Sequence, residues 1–151
     1  MKKRSTVQFP PSLSSGYLVR DAHRAFQHLL AQRIAPFGIM RGHWYFLRVL
    51  WIEDGLSQRE LSARAGMMEP TTGIALRSME KAGLVRRVRS RDDKRRAHVW
   101  LTPKGHRLRS VLLPVARKIV AEAEKSIAQR DLERFRAVIL RMTRNLDELR
   151  R

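Results

Sequence analysis

At 151 residues and 43% hydrophobic content, the chain can form one domain, or one subunit of an oligomer, around a packed core. Thirty-two Lys and Arg against fourteen Asp and Glu leave a formal net charge of +18, so a compact fold repels itself unless a polyanion offsets the field. The absence of Cys excludes disulfide scaffolds, Cys-zinc sites and thiol redox sensing.

In chain order, residues 1–12 are basic and then Pro-rich and read as a loose arm. Met1-Lys2-Lys3-Arg4 has the charge of a signal n-region, but Pro10 and Pro11 interrupt the apolar stretch that should follow. Retention in the cytoplasm is the expectation. From Leu13 a helical period begins, with Leu18, Ala22, Ala25, Phe26 and Leu29 in phase, and Pro36 and Gly38 stop it near Ile34. A second helix is predicted over 41–52, carrying Trp44, Leu47, Leu50 and Trp51 on one side, and Asp54-Gly55 is a turn.

Ser57-Gln58-Arg59-Glu60 has the form of a capping box, in which Ser and Glu satisfy orphan amides at a helix start. That helix is short and ends at Ala65-Gly66. The next begins at Glu69-Pro70, where Pro is tolerated in a first turn, and ends at Ala82-Gly83 with Gly as the left-handed cap. The period then changes to two. Residues 84–89 and 98–102 read as paired strands around the loop Ser90–Arg96, six of whose seven residues are charged. Two long helices follow. One covers 103–126 with Leu108, Val111, Leu112, Val115 and Ile119 in phase and Pro114 as a kink; the other covers 129–149 with Leu132, Phe135, Val138, Ile139, Met142 and Leu146.

Helix, tight Gly turn, helix and charged hairpin is the order of a winged helix-turn-helix. The fold expected is mainly α with a small β-hairpin: a winged lobe at about 41–102, and long helices at about 13–35 and 103–149 that pair two chains. Together, residues 13–151 form a single domain. The apolar stripes of the terminal helices are too extensive for one small lobe to cover, so a homodimer with twofold symmetry is expected.

This order makes double-stranded DNA the first partner, ahead of an anionic membrane surface, because phosphates take up Lys and Arg and release condensed counterions. A recognition helix must fit a major groove about 12 Å wide, so its outer face should be small and polar. Glu69, Thr71, Gly73, Arg77 and Ser78 are candidates there, with Ile74 beside them; Thr72 is kept as a candidate although it shares the inward phase with Ala75, Leu76 and Met79. Ser57 and Gln58 open the supporting helix, whose free N–H groups can hold a phosphate. In the hairpin, Arg89, Arg91, Lys94, Arg95 and Arg96 suit the narrow minor groove, and Asp93 is close enough to orient Arg95.

Three segments carry a family resemblance: Met79-Glu80-Lys81-Ala82-Gly83-Leu84-Val85, then Asp93-Lys94-Arg95-Arg96, then Leu101-Thr102-Pro103-Lys104-Gly105. In order and spacing they resemble elements of the multiple-antibiotic-resistance regulator (MarR) family of bacterial transcription factors. The resemblance spans about residues 13–149. It implies a homodimer built on the first, fifth and sixth helices, reading a pseudo-palindromic operator as a repressor. Arg95 then takes the wing-tip role and Asp93 positions it. The family often has Arg where this chain has Ile74, so a thymine methyl replaces a guanine edge as the natural contact there. The resemblance also implies a small effector of aromatic-acid type, for which Arg20, His23, Arg24, His43 and Trp44 are the candidate contacts.

Other readings fare less well. The alternative within DNA binding is a sequence-tolerant architectural protein without an effector, which the net charge favours. A winged module serving a protein or membrane surface is the alternative outside it. No metal ligand set is recognisable, since His23 and His28 fall on different faces, and no cofactor is expected. The sequence has no phosphate loop, nucleophile elbow or helical His-Glu pair, so it is read as a non-enzyme.

Overall fold

The computed structural model describes residues 10–89 and 97–150. A short 3-10 turn, Pro11–Leu13, leads into α1 (Ser15–Ile34), and a second one, Ala35–Phe37, leads to α2 (Arg41–Leu50). Then come β1 (Leu56–Ser57), α3 (Gln58–Ala65), α4 (Glu69–Lys81), β2 (Val85–Arg89), β3 (Ala97–Leu101), α5 (Pro103–Ala123) and α6 (Gln129–Glu148). Mainly helical content with a small antiparallel sheet is the architecture expected of a winged helix protein. The helix ends differ from the sequence reading by no more than three residues, and the helix of α5 runs through Pro114.

The predicted hairpin is a three-stranded sheet in the order β1-β3-β2. The added strand has two residues, pairing Leu56 with Val99 and Ser57 with His98. Two residues are too few for an alternating pattern, which is why no sequence signal marks them. Between β2 and β3 the register runs from Val85 opposite Leu101 to Arg89 opposite Ala97. Val99 and Leu101 point inward, while Trp100 between them is exposed, as the pleat requires.

The chain divides into two compact units, Met1–Ala116 and Arg117–Arg151. In the first, Ile34, Phe46, Leu47, Leu50, Leu61, Leu76, Met79, Leu84 and Val99 form a buried core to which α1, α2, α3, α4 and the sheet all contribute. Each such side chain stabilises the fold by about 1.5–3 kcal/mol. For α1 the buried positions are Leu30 and Ile34 near its end, whereas Leu18 and Phe26 of the predicted stripe remain exposed. The second unit holds the end of α5 and α6, with Arg136 paired to Glu124 at 2.7 Å. No α6 residue is buried; Phe135, Val138 and Leu146 are all more than half exposed.

Among the described residues, no helix is long and apolar enough to cross a membrane, and no group of three His, Asp or Glu side chains could hold a metal ion.

Candidate nucleic-acid interface

The interface begins at the capping box. Glu60 N–H donates to Ser57 Oγ at 3.3 Å, and Ser57 N–H donates to the Glu60 carboxylate at 2.8 Å. The Ser57 hydroxyl donates to the same carboxylate at 2.7 Å, and these bonds hold Glu60 below the usual carboxylate range. Ser57 and Gln58 are both half-buried. Gln58 sends its side-chain amide across to the Glu69 carbonyl at 3.4 Å, so the start of α3 touches the start of α4.

Along α4, Glu69, Thr71, Ile74 and Arg77 are exposed, with Ile74 62% accessible. Leu76 and Met79 are wholly buried on the opposite side. Gly83, at φ +69°, lets the chain leave the helix in the left-handed region where a side chain is disfavoured. Arg87 in β2 grips Glu80 with two bonds, at 3.0 and 2.6 Å, so β2 is tied to the end of α4. That fork holds the Glu80 carboxyl below its ordinary range. Arg86 and Arg89 stay exposed on the same strand.

Three of the expected contacts have partners inside the protein. Thr72 is fully buried: its hydroxyl donates to the Met68 carbonyl at 3.1 Å and accepts from Ser62 at 2.8 Å. Gly73 is buried against α3, where a Cβ would come within 3.3 Å of the Gln58 amide nitrogen. Ser78 is half-buried and bonded to His43 at 2.9 Å. Thr72 lies on the inward phase expected for it. For Gly73 and Ser78 the reason is that the core-facing arc of α4 is wider than the one inferred from Thr72, Ala75, Leu76 and Met79, and takes in small residues beside them. Arg91, Asp93, Lys94, Arg95 and Arg96 lie outside the described residues.

A basin of about 470 Å³ opens beside α1 and α2, lined by Arg20, His23, Arg24, Gln27, Arg41, Tyr45 and Met67. Three of the five expected ligand contacts are therefore on its wall. His43 and Trp44 are not, because both point into the core, where Trp44 meets Trp51 edge to face at 6.0 Å. Sequence reasoning missed Gln27 and Arg41 and set Tyr45 aside as a core aromatic, although 20, 23, 24 and 27 share one helical face and 41 and 45 another. Met67 comes from the turn before α4 and carries no such signal. Arg20 lies over the Tyr17 ring and also pairs with Asp21, while Gln27 donates to the Tyr45 hydroxyl. Burial raises the Tyr45 phenol above its usual range, and nearby Arg41 opposes that shift.

Residues 37–96 match the family model described as MarR family. The HTH-type transcriptional regulator TtmR of Methylorubrum extorquens is 34% identical over 102 residues, which are 66% of this chain and 52% of that protein. This chain thus spans about half the length of the curated relative it matches. Among solved structures, a MarR transcriptional regulator from Methanosarcina mazei Go1 superposes with a TM-score of 0.81 at 28% identity, covering 89% of this chain and 96% of that one. The S. aureus MepR–DNA complex gives 0.81 at 22% identity, covering 87% and 98%, a likeness of fold.

Proposed function

We propose that the chain is a MarR-family transcriptional regulator, a repressor, that binds a pseudo-palindromic DNA operator as a homodimer. The observation that carries this reading is the row Thr71, Ile74 and Arg77, exposed on successive turns of α4 with the capped start of α3 beside it. A helix about 10–12 Å across fits the major groove. Arg77 offers a fork to a guanine edge, and Ile74 offers an apolar contact to a thymine methyl. The Arg-rich loop 90–96 then reaches the flanking minor groove, where guanidinium groups are favoured. The +18 charge supplies the sequence-independent part of the affinity.

Dimerisation is supported by the uncovered apolar faces of α1 and α6. Leu18, Phe26, Phe135, Val138 and Leu146 would otherwise leave large apolar side chains in water. Two lobes in a twofold dimer read half-sites about one helical turn, roughly 34–36 Å, apart. The basin supports a small effector: its volume suits a small molecule, and Arg24 and Arg41 beside Tyr45 suit an aromatic carboxylate. Binding there releases DNA if the ligand favours the unbound spacing of the lobes.

Selection of duplexes from a random pool, followed by competition with random DNA at physiological salt, tests this reading. A regulator retains a preference of at least about a thousandfold. The net charge alone would favour a sequence-tolerant DNA compactor, and a preference near unity would establish that reading instead.

A further inference from the structure

We propose that the hydrogen bond between His43 on α2 and Ser78 on α4 sets the rotational pose of α4, which makes His43 a positioning residue for DNA reading. The proposal rests on the DNA-binding reading above. Leu76 and Met79 anchor α4 in the core, but apolar contacts have no direction and tolerate small rotations of a helix about its axis. A rotation of about 10° moves side-chain ends at a radius of roughly 5–6 Å by about 1 Å. That is enough to break hydrogen bonds to a base edge.

Directional bonds limit this freedom: Gln58 holds the start of α4 and the Arg87 fork its exposed end at Glu80, and two more bonds act in its inward arc. Thr72 is tied to Ser62 of α3 at 2.8 Å, and Ser78 is tied to His43 of α2 at 2.9 Å. The ties lie six residues apart, about 9 Å along the helix, so together they fix both ends. The outward residues Ile74 and Arg77 fall between them.

The imidazole is itself held. His43 is 2% exposed, and its Nδ1 accepts from the Met40 N–H at 3.4 Å, at the start of α2. With Nδ1 occupied as an acceptor, the ring proton is on Nε2 and donates to Ser78 Oγ. Burial holds the imidazole below its ordinary value, so it is neutral and keeps this tautomer near neutral pH. Arg41 and Tyr45, on either side of His43 in α2, line the basin. The helix that braces α4 is therefore also a wall of the candidate effector site.

Two substitutions at position 43 separate the two nitrogens. His43→Asn keeps an acceptor for Met40 and loses the reach to Ser78, whereas His43→Gln keeps a donor near Nε2. Ser78→Ala removes the acceptor with little change of core volume. On a duplex selected by the unmodified chain, His43→Asn and Ser78→Ala should each weaken binding about three- to tenfold. The double variant should bind no more weakly than either single one, and His43→Gln should restore most of the affinity. Binding to random duplex should not change. Additive losses, equal losses on selected and random DNA, or a loss with Ser78→Ala and none with His43→Asn would overturn the proposal; the last would mean that Ser78 touches DNA itself. If the unmodified chain selects no duplex, the DNA reading fails separately. Hydrogen exchange of the free protein then decides the brace: faster exchange confined to Glu69–Lys81 in His43→Asn upholds it, and unchanged exchange removes it.

Discussion

The indole N–H of Trp51 donates to the carbonyl oxygen of Gly105 at 2.9 Å inside the protein. The bond joins the end of α2 to the first turn of α5, which also lies close against the residue that precedes β2. A Cβ on Gly105 would lie 2.3 Å from the Leu84 carbonyl oxygen. Gly105→Ala therefore forces backbone apart rather than filling space, and it should destabilise the fold by about 1–3 kcal/mol. A urea melt with an unchanged midpoint would contradict this contact.

The capping box makes a second prediction. Ser57→Ala removes the acceptor for Glu60 N–H and one donor to the Glu60 carboxylate. Its expected cost is about 1 kcal/mol of stability. Ser57→Asp, which keeps an acceptor at the cap, should lose less. Thermal melts of the two variants side by side check the ordering.

Buried His43 predicts a pH dependence of stability. Its folded value lies below the ordinary imidazole value of about 6.5, so the unfolded chain takes up its proton at higher pH than the folded one. The contribution of neutral His43 is fully present above about pH 6.5, and it is lost as pH falls from there toward the folded value. Other histidines titrate in the same range, so the informative quantity is a difference. Urea midpoints at pH 7.5 and 5.5 should diverge less in His43→Gln than in the unmodified chain. Equal divergence would place the acid sensitivity elsewhere.

For the hairpin loop, Arg95→Ala should reduce affinity for a selected duplex by about 1–3 kcal/mol if the guanidinium enters the minor groove. A loss confined to duplexes with an A·T-rich flank would identify narrow-groove readout. Unchanged binding in quantitative mobility shifts would remove Arg95 from the interface.

Much of this architecture was legible because its signals act within a turn or two of chain. Ser57 and Glu60 cap α3 three residues apart, Gly83 ends α4 by its own backbone preference, and Val99 and Leu101 alternate with Trp100 in β3. The face of α4 was legible only in part. Leu76 and Met79 announce the core by size and Thr72 by its phase, but Gly73 and Ser78 look like surface residues until their partners are known. The basin was similar: Arg20, His23 and Arg24 announced one wall by charge, while Met67 arrived from a separate segment.

The sequence by itself determined the element order, the helix caps and the basic character, because those depend on composition, short-range spacing and motif order. Only the tertiary structure decided that His43 faces Ser78 across 35 residues and that Trp51 faces Gly105 across 54. Pairings at that separation follow from how helices pack, and a polar side chain gives no local sign of whether its partner will be water or another buried group.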